Sequence, residues 1–214
     1  MSYAVRPRGV LLPDRFIAVA GNIGVGKTTL TTWLTNTYGM LPVFEPFEGN
    51  PYLDDFYVDM GAWAYHSQVW FLAHKYRLHV QLEERAGVLV QDRTIYEDAE
   101  IFATYLHKSR RMNERDFQTY LEMYEAMSLK LRPPDLLIYL RCSVRAIRKR
   151  VRQRGRASEQ DIPATYLRKL NQLYEDWIAR WDKSPVLVWD TEKTDYLGDL
   201  VDALEFRKAI EKFL

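Results

Sequence analysis

The 214-residue chain has one cysteine, Cys142. That excludes an internal disulfide framework and any multi-cysteine metal site, and makes a reducing compartment, the cytoplasm, the expected location. Its four histidines are scattered, with no pair in metal-ligand context. Charge of neither sign prevails: 30 Lys and Arg stand against 29 Asp and Glu, a formal net charge of +1. A dedicated nucleic-acid binder would be strongly basic on one face, so no nucleic-acid partner is expected. No apolar run approaches the roughly 18 residues of a membrane span, and no membrane partner is expected either. The opening stretch MSYAVRPRGVLLPDR has too short an apolar part for a signal peptide and reads as an arm over residues 1–15. Internal repeats, linkers and low-complexity segments are lacking too. What remains, residues 16–214 of a chain that is 47% hydrophobic, is enough for one α/β domain with a substantial core.

Against these absences stands one strong motif. Phe16-Ile17-Ala18-Val19-Ala20 is an apolar run of strand length, and Gly21-Asn22-Ile23-Gly24-Val25-Gly26-Lys27-Thr28 then fits G-x-x-x-x-G-K-[ST] without a mismatch. The glycines let the backbone wrap around phosphate oxygens and aim N–H groups inward. Helical character from Thr28 and Thr29 onward delivers the anion to a helix N-terminus, which favours negative charge. Lys27 is expected to reach the β- and γ-phosphates, and the Thr28 hydroxyl to hold Mg²⁺. A Gly-rich turn would be the bland alternative, but strand, loop and helix are all in place.

Spacing predicts a helix over 28–38 stopped by Gly39, a short strand over 41–44 ending on Glu45-Pro46, and a loop with one or two helical turns over 48–60. A long helix over 63–85 ends at Gly87, and a third strand over 88–90 runs through Gln91 into Asp92-Arg93-Thr94. Helices over 98–107 and 114–130 precede a fully apolar strand over 136–140. A basic helix capped by Ser143, a helix from Pro163, a strand over 186–189 and a closing helix over 199–214 complete the chain. Leu167, Leu170, Tyr174, Trp177 and Trp181 form a helical stripe that reads as core or subunit interface rather than a ligand box. Strands separated by helices predict an α/β fold with one parallel sheet covered on both faces.

In such a sheet, ligands bind beyond the carboxyl ends of the strands. Three ends carry polar groups: the phosphate loop, Glu45, and Asp92-Arg93. A triphosphate site converging with a carboxylate and a carboxylate–guanidinium pair suits phosphoryl transfer to a hydroxyl. One group accepts the proton, one neutralises developing charge and one helps hold the metal. Taken singly, Glu45 could equally be a solvated loop residue and Asp92-Arg93 a structural ion pair. The run over 141–156, RCSVRAIRKRVRQRGR, has eight basic residues and no acidic one. It reads as a solvated helix, a nucleic-acid patch or, more economically beside a phosphate loop, an arginine lid over the triphosphate.

At this point the sequence resembles the deoxynucleoside kinase family, in particular the bacterial deoxyadenosine/deoxyguanosine kinase branch. GNIGVGKTT resembles that family's phosphate loop, FEPFEGNPYLDDFY its Glu-Pro segment, QDRTIYEDAEIF its [DE]-R-[ST] motif and RKRVRQRGRASEQ its lid. Asp92 and Thr94, where mammalian members carry Glu and many members Ser, are as in the bacterial branch. The resemblance implies a P-loop kinase fold, a five-stranded parallel sheet flanked by helices on both faces, with a lid at about 150–160. It implies transfer from ATP, with Mg²⁺, to the 5′-hydroxyl of a 2′-deoxynucleoside. By the same resemblance Glu45 is the general base, Arg93 positions that base and the 5′-oxygen, and Asp92 stands near the metal with Thr28. Tyr57 and Glu159 hydrogen-bond the sugar 3′-hydroxyl, Gln68 reads the base edge, and Phe102 stacks on the base. Lys75 and Asp98 lie where purine-specific relatives place polar groups, so deoxyadenosine is expected first and deoxyguanosine second. Arg150, Arg154 and Arg156 match the lid arginines. Family members are usually homodimers, with 63–85 and 162–181 the expected surfaces. The rivals are a nucleoside monophosphate kinase, such as thymidylate kinase, and a P-loop regulatory or nucleic-acid-binding ATPase.

Overall fold

The computed structural model describes residues 15–45, 49–83, 85–156, 159 and 162–214. The expected arm, apart from Arg15, therefore lies outside the described residues, as do Pro46 of the Glu-Pro step and part of the lid. Five strands, β1 (Arg15–Ala20), β2 (Leu41–Val43), β3 (Val88–Asp92), β4 (Leu136–Arg141) and β5 (Val186–Asp190), form one sheet in the order β2-β3-β1-β4-β5. All four pairings are parallel. The helices are α1 (Lys27–Tyr38), α2 (Leu53–Val58), α3 (Met60–Glu83), α4 (Ile95–Glu97), α5 (Thr104–Lys108), α6 (Glu114–Ser128), α7 (Val144–Arg154), α8 (Ala164–Arg180) and α9 (Leu200–Ile210).

The apolar runs of β1 and β4 are buried on both faces, as expected for central parallel strands. Ala20 pairs with Tyr139 and Leu140 with Trp189, so Tyr139 and Trp189 point to opposite faces. On the first face Tyr174 of α8 stacks on Tyr139, and His79 of α3 meets Phe16 edge-on at 5.1 Å. On the second, Phe206 of α9 packs against Trp189, and Trp33 of α1 against Phe206. The aromatic stripe of α8 is thus internal: Tyr174 and Trp177 are buried, so that face is core and not a subunit surface.

Helix ends follow local chemistry. Gly39 stops α1 in a left-handed conformation (φ 67°), its N–H donating to the Thr35 carbonyl. Ser143 caps α7, which Gly155 ends at φ 74°. α3 starts three residues earlier than 63 because the Asp59 carboxylate accepts the Gly61 and Ala62 N–H groups at 2.9 and 3.1 Å. The helix expected over 98–107 also begins earlier, at Ile95, because the Glu97 carboxylate reaches back to the Thr94 N–H. Its middle, Asp98–Ala103, is a π-helical turn, with the Thr104 hydroxyl donating to the Ala99 carbonyl five residues back. Asp98 and Phe102 both sit on that turn.

Candidate active site

The phosphate loop closes around positions where no side chain fits. A Cβ on Gly21 (φ 143°) would stand 2.7 Å from the Leu140 carbonyl oxygen, and one on Gly24 (φ 74°) 2.7 Å from a Val151 methyl. Asn22 anchors the loop from below: its amide donates to the Leu167 carbonyl at 2.9 Å and to Asn171, and its oxygen accepts the Ile23 N–H. Lys27 is buried and donates to the carbonyls of Gly21 and Asn22 at 2.9 and 3.0 Å. Burial, and then the positive charge of Arg93, bring its ammonium down to about 8. A triphosphate would supply the anion this group lacks.

The Thr28 hydroxyl donates to Asp92 Oδ2 at 2.5 Å, and the other oxygen, Oδ1, is buried with no hydrogen-bond partner. No cluster of three or more His, Cys, Asp or Glu side chains that could hold a metal exists among the described residues. The orphaned Asp92 oxygen beside Thr28 fits a Mg²⁺ ion that takes most of its ligands from phosphate and water.

Beyond the β3 end, Arg93 has a left-handed backbone (φ 63°), unusual for a side-chain-bearing residue, with its N–H bonded to the Val19 carbonyl at 3.0 Å. Nη1 donates to both oxygens of Glu45 at 3.0 Å, Nη2 donates to the Gly21 carbonyl at 3.3 Å, and the guanidinium lies 4.6 Å from the Phe102 ring centre. Lys75, fully buried, stands 3.1 Å from Glu45 and 2.5 Å from Asp98. Burial alone would raise the Glu45 carboxyl, but Arg93, Lys75 and Lys27 together hold it well below the usual carboxylate range. Burial pushes Asp98 up to about 6, opposed by Lys75 and, more weakly, by Arg93. Lys75, despite burial, is raised by its two carboxylates, and burial pushes Tyr57 up to about 12.

The lid arginines divide. Arg154 is ion-paired with Glu159, which also lies 3.5 Å from Arg156. Arg150 instead donates to the Val25 carbonyl at 2.9 Å and to the Thr191 hydroxyl at 2.8 Å, tying the phosphate loop to the chain beyond β5.

A cleft of about 660 Å³ joins these parts. Its wall includes the loop from Ile23 to Thr29, Glu45, Tyr57, Gln68, Asp92, Arg93, Asp98, Phe102, Arg150, Arg154, Arg156 and Glu159. Three expected residues stand behind that wall: Lys75 acts on it through Glu45 and Asp98, and Gly21 and Asn22 through the loop backbone. Sequence reasoning missed Thr191, Thr194, Asp195, Tyr196 and Leu197, which line the cleft beyond β5. The strand-end rule, applied to a fourth strand end, would have found them. It also missed Glu97, whose signal was a Thr-x-x-Glu capping pattern at 94–97.

The deoxynucleoside kinase family model matches residues 17–214. Deoxyadenosine/deoxycytidine kinase of Bacillus subtilis (strain 168) is 39% identical over 188 residues, 87% of this chain and 87% of that protein. Deoxyguanosine kinase of the same organism is 31% identical over 187 residues, 85% of this chain and 89% of its own. The structure of M. mycoides deoxyadenosine kinase with bound dATP superposes with a TM-score of 0.81 at 27% identity, covering 92% of this chain and 99% of that one. No helix among the described residues is long and apolar enough to cross a membrane. With the matched model spanning the strands, the phosphate loop and the cleft alike, the chain belongs to the deoxynucleoside kinase family.

Proposed function

We propose that this kinase transfers the γ-phosphoryl of ATP to the 5′-hydroxyl of a purine 2′-deoxynucleoside, deoxyadenosine before deoxyguanosine, as a step of nucleotide salvage. The observation that carries the reading is the Glu45–Arg93 pair, two hydrogen bonds of 3.0 Å in the same cleft wall as Lys27. Glu45 is ionised at any physiological pH and accepts the 5′-hydroxyl proton. Because Arg93, Lys75 and Lys27 hold its carboxyl so low, it is a weak base before reaction. Proton transfer therefore comes late, as bond formation acidifies the attacking oxygen, which suits a loose phosphoryl-transfer transition state. Lys27 leaves the Gly21 and Asn22 carbonyls for the β- and γ-phosphates, and Arg154 and Arg156 supply charge from the lid. Thr28 and Asp92 would hold Mg²⁺, which would supply positive charge against the transferring phosphate.

At the base end, Gln68 Oε1 and Asp98 Oδ2 are buried acceptors with no protein partner, and both residues line the cleft. Two acceptors suit an exocyclic amine, and the names of the relatives above fit that choice. Tyr57 and Glu159, both on the cleft wall, would read the sugar 3′-hydroxyl. The basic groups around the acceptor are already matched by carboxylates, Arg93 and Lys75 by Glu45, and Arg154 and Arg156 by Glu159. That pairing disfavours an acceptor that brings its own phosphate. The same proposal includes cytoplasmic residence, supported by the free buried Cys142. It includes a homodimer through α3, where Val80 is exposed, since the α8 stripe is taken up by the core. Incubation with deoxynucleosides, ribonucleosides, nucleoside monophosphates and single-stranded DNA, following ATP consumption, tests it. Fastest turnover with deoxyadenosine is expected; turnover confined to monophosphates would refute it.

A further inference from the structure

We propose that Glu97 is a positioning residue for phosphoryl transfer, holding the first residue of the phosphate loop and Arg93 in register with each other. The side chain is fully buried, in the first turn of α4. One oxygen, Oε2, accepts the Thr94 N–H at 3.1 Å, which is all that capping the helix requires. The other serves different elements: Oε1 accepts the Gly21 N–H at 3.2 Å and the Tyr174 hydroxyl of α8 at 2.7 Å, and lies 3.5 Å from Arg93 Nε. A cap on a surface helix needs no such burial, and a fully desolvated carboxylate is costly unless its lone pairs are filled. Here three donors and one guanidinium fill them.

The chain of contacts runs from Glu97 to the reacting groups. Gly21, held through its N–H by Glu97, offers its carbonyl to both Lys27 and Arg93, at 2.9 and 3.3 Å. Arg93 in turn grips Glu45 with Nη1. A single buried carboxylate thus fixes the residue on which the loop lysine and the arginine both rest, and it draws Arg93 from the Nε side while Glu45 draws it from the other. Tyr174, on the helix that also anchors Asn22 through Leu167 and Asn171, keeps Glu97 from swinging away. Removal leaves the Gly21 N–H and the Tyr174 hydroxyl without this acceptor and releases one side of the guanidinium. None of these groups is at the nucleoside base, so the effect falls on turnover more than on nucleoside affinity.

The inference rests on the kinase reading, and a double-mutant cycle separates the two. Glu97→Gln keeps volume and one oxygen while losing the charge. It is expected to lower kcat by about 10- to 100-fold with the deoxynucleoside KM changed less than about 3-fold. Lysine has no Nε–Nη fork to be held from two sides, so in an Arg93→Lys background the further loss should shrink to about 3-fold. Thermal unfolding of all four proteins is followed alongside. A folded Glu97→Gln variant with kcat within about two-fold of the parent overturns the inference, as does an undiminished loss in the Arg93→Lys background. If Glu97→Gln fails to fold, Tyr174→Phe, which deletes one donor to the same oxygen, replaces it in the cycle. There a smaller kcat loss, likewise reduced by Arg93→Lys, is required, and an unchanged kcat overturns the inference. Absence of deoxynucleoside turnover by the parent enzyme would remove the kinase reading and this inference together.

Discussion

Replacing Lys75 with methionine, similar in length and without charge, gives the most quantitative test of how the cleft is held. In the parent, the Lys75 ammonium serves Asp98 at 2.5 Å and Glu45 at 3.1 Å from full burial. Glu45 keeps its two hydrogen bonds from Arg93 in the variant and stays ionised. Asp98 keeps no comparable cation, and its second oxygen already has no partner. An uncompensated buried charge costs about 3–5 kcal/mol, a cost that protonation relieves. Asp98 is already at about 6 with Lys75 present. Without it the carboxyl rises further and binds a proton at neutral pH. The sign follows from proton linkage. The folded state of the variant binds a proton that the unfolded state releases near 3.9, so stability falls as pH rises, by up to ~1.4 kcal/mol per pH unit, until the raised value is passed. In the parent that decline ends near 6, where Asp98 titrates. The stability gap between the two proteins should therefore widen from pH 6 to pH 8 by roughly 1–3 kcal/mol, read from urea unfolding at each pH. Deoxyadenosine kcat/KM should drop about 100-fold at pH 7.5 and recover little in acid, because neutral Asp98 presents a donor where an acceptor is needed. A stability difference below about 1 kcal/mol that does not vary with pH would refute the reasoning.

Two other outcomes follow from the same geometry. Glu45→Gln should fold and bind ATP, since Arg93 keeps Gly21 and Lys75 keeps Asp98, yet lose about 10²- to 10⁴-fold in kcat, measured at saturating substrates. The lid arginines should separate kinetically. Arg154→Ala is expected to lower kcat about 10-fold or more with nucleoside KM little changed, whereas Arg150→Ala should mainly raise the ATP KM, because it removes the guanidinium bridging Val25 and Thr191 and leaves only the 3.3 Å bond from the Thr191 hydroxyl to the Val25 carbonyl.

Much of this was legible in the sequence because the strong signals were local. An apolar pentapeptide followed by Gly21-to-Thr28 places a strand, a loop and a helix without reference to anything distant. Glu45 and Arg93 follow from the strand-end rule, and the structure joins them in one ion pair. What escaped depends on contacts remote in sequence. Glu97 looks like an ordinary charge on an amphipathic helix, and only packing turns it inward onto Gly21, 76 residues away; Lys75 is named by the family resemblance, but its contact with Glu45, 30 residues away, comes from packing alone. The π-helical turn under Asp98 and Phe102 has no period that a 3.6-residue reading detects. The family resemblance groups Arg150 with Arg154 and Arg156, but its guanidinium answers to a carbonyl on the phosphate loop and to Thr191, more than forty positions downstream.

The left-handed backbone at Arg93 is a strain that the ion pairs around its side chain outweigh. A residue with a Cβ gives up about 1–2 kcal/mol to sit at φ 63°. Glycine or asparagine would relax the peptide there while deleting the fork that grips Glu45. Either change would also take the guanidinium from the Glu45 and buried Glu97 carboxylates, at about 3–5 kcal/mol for an uncompensated charge, so selection for heat resistance alone should retain the arginine and its strain together.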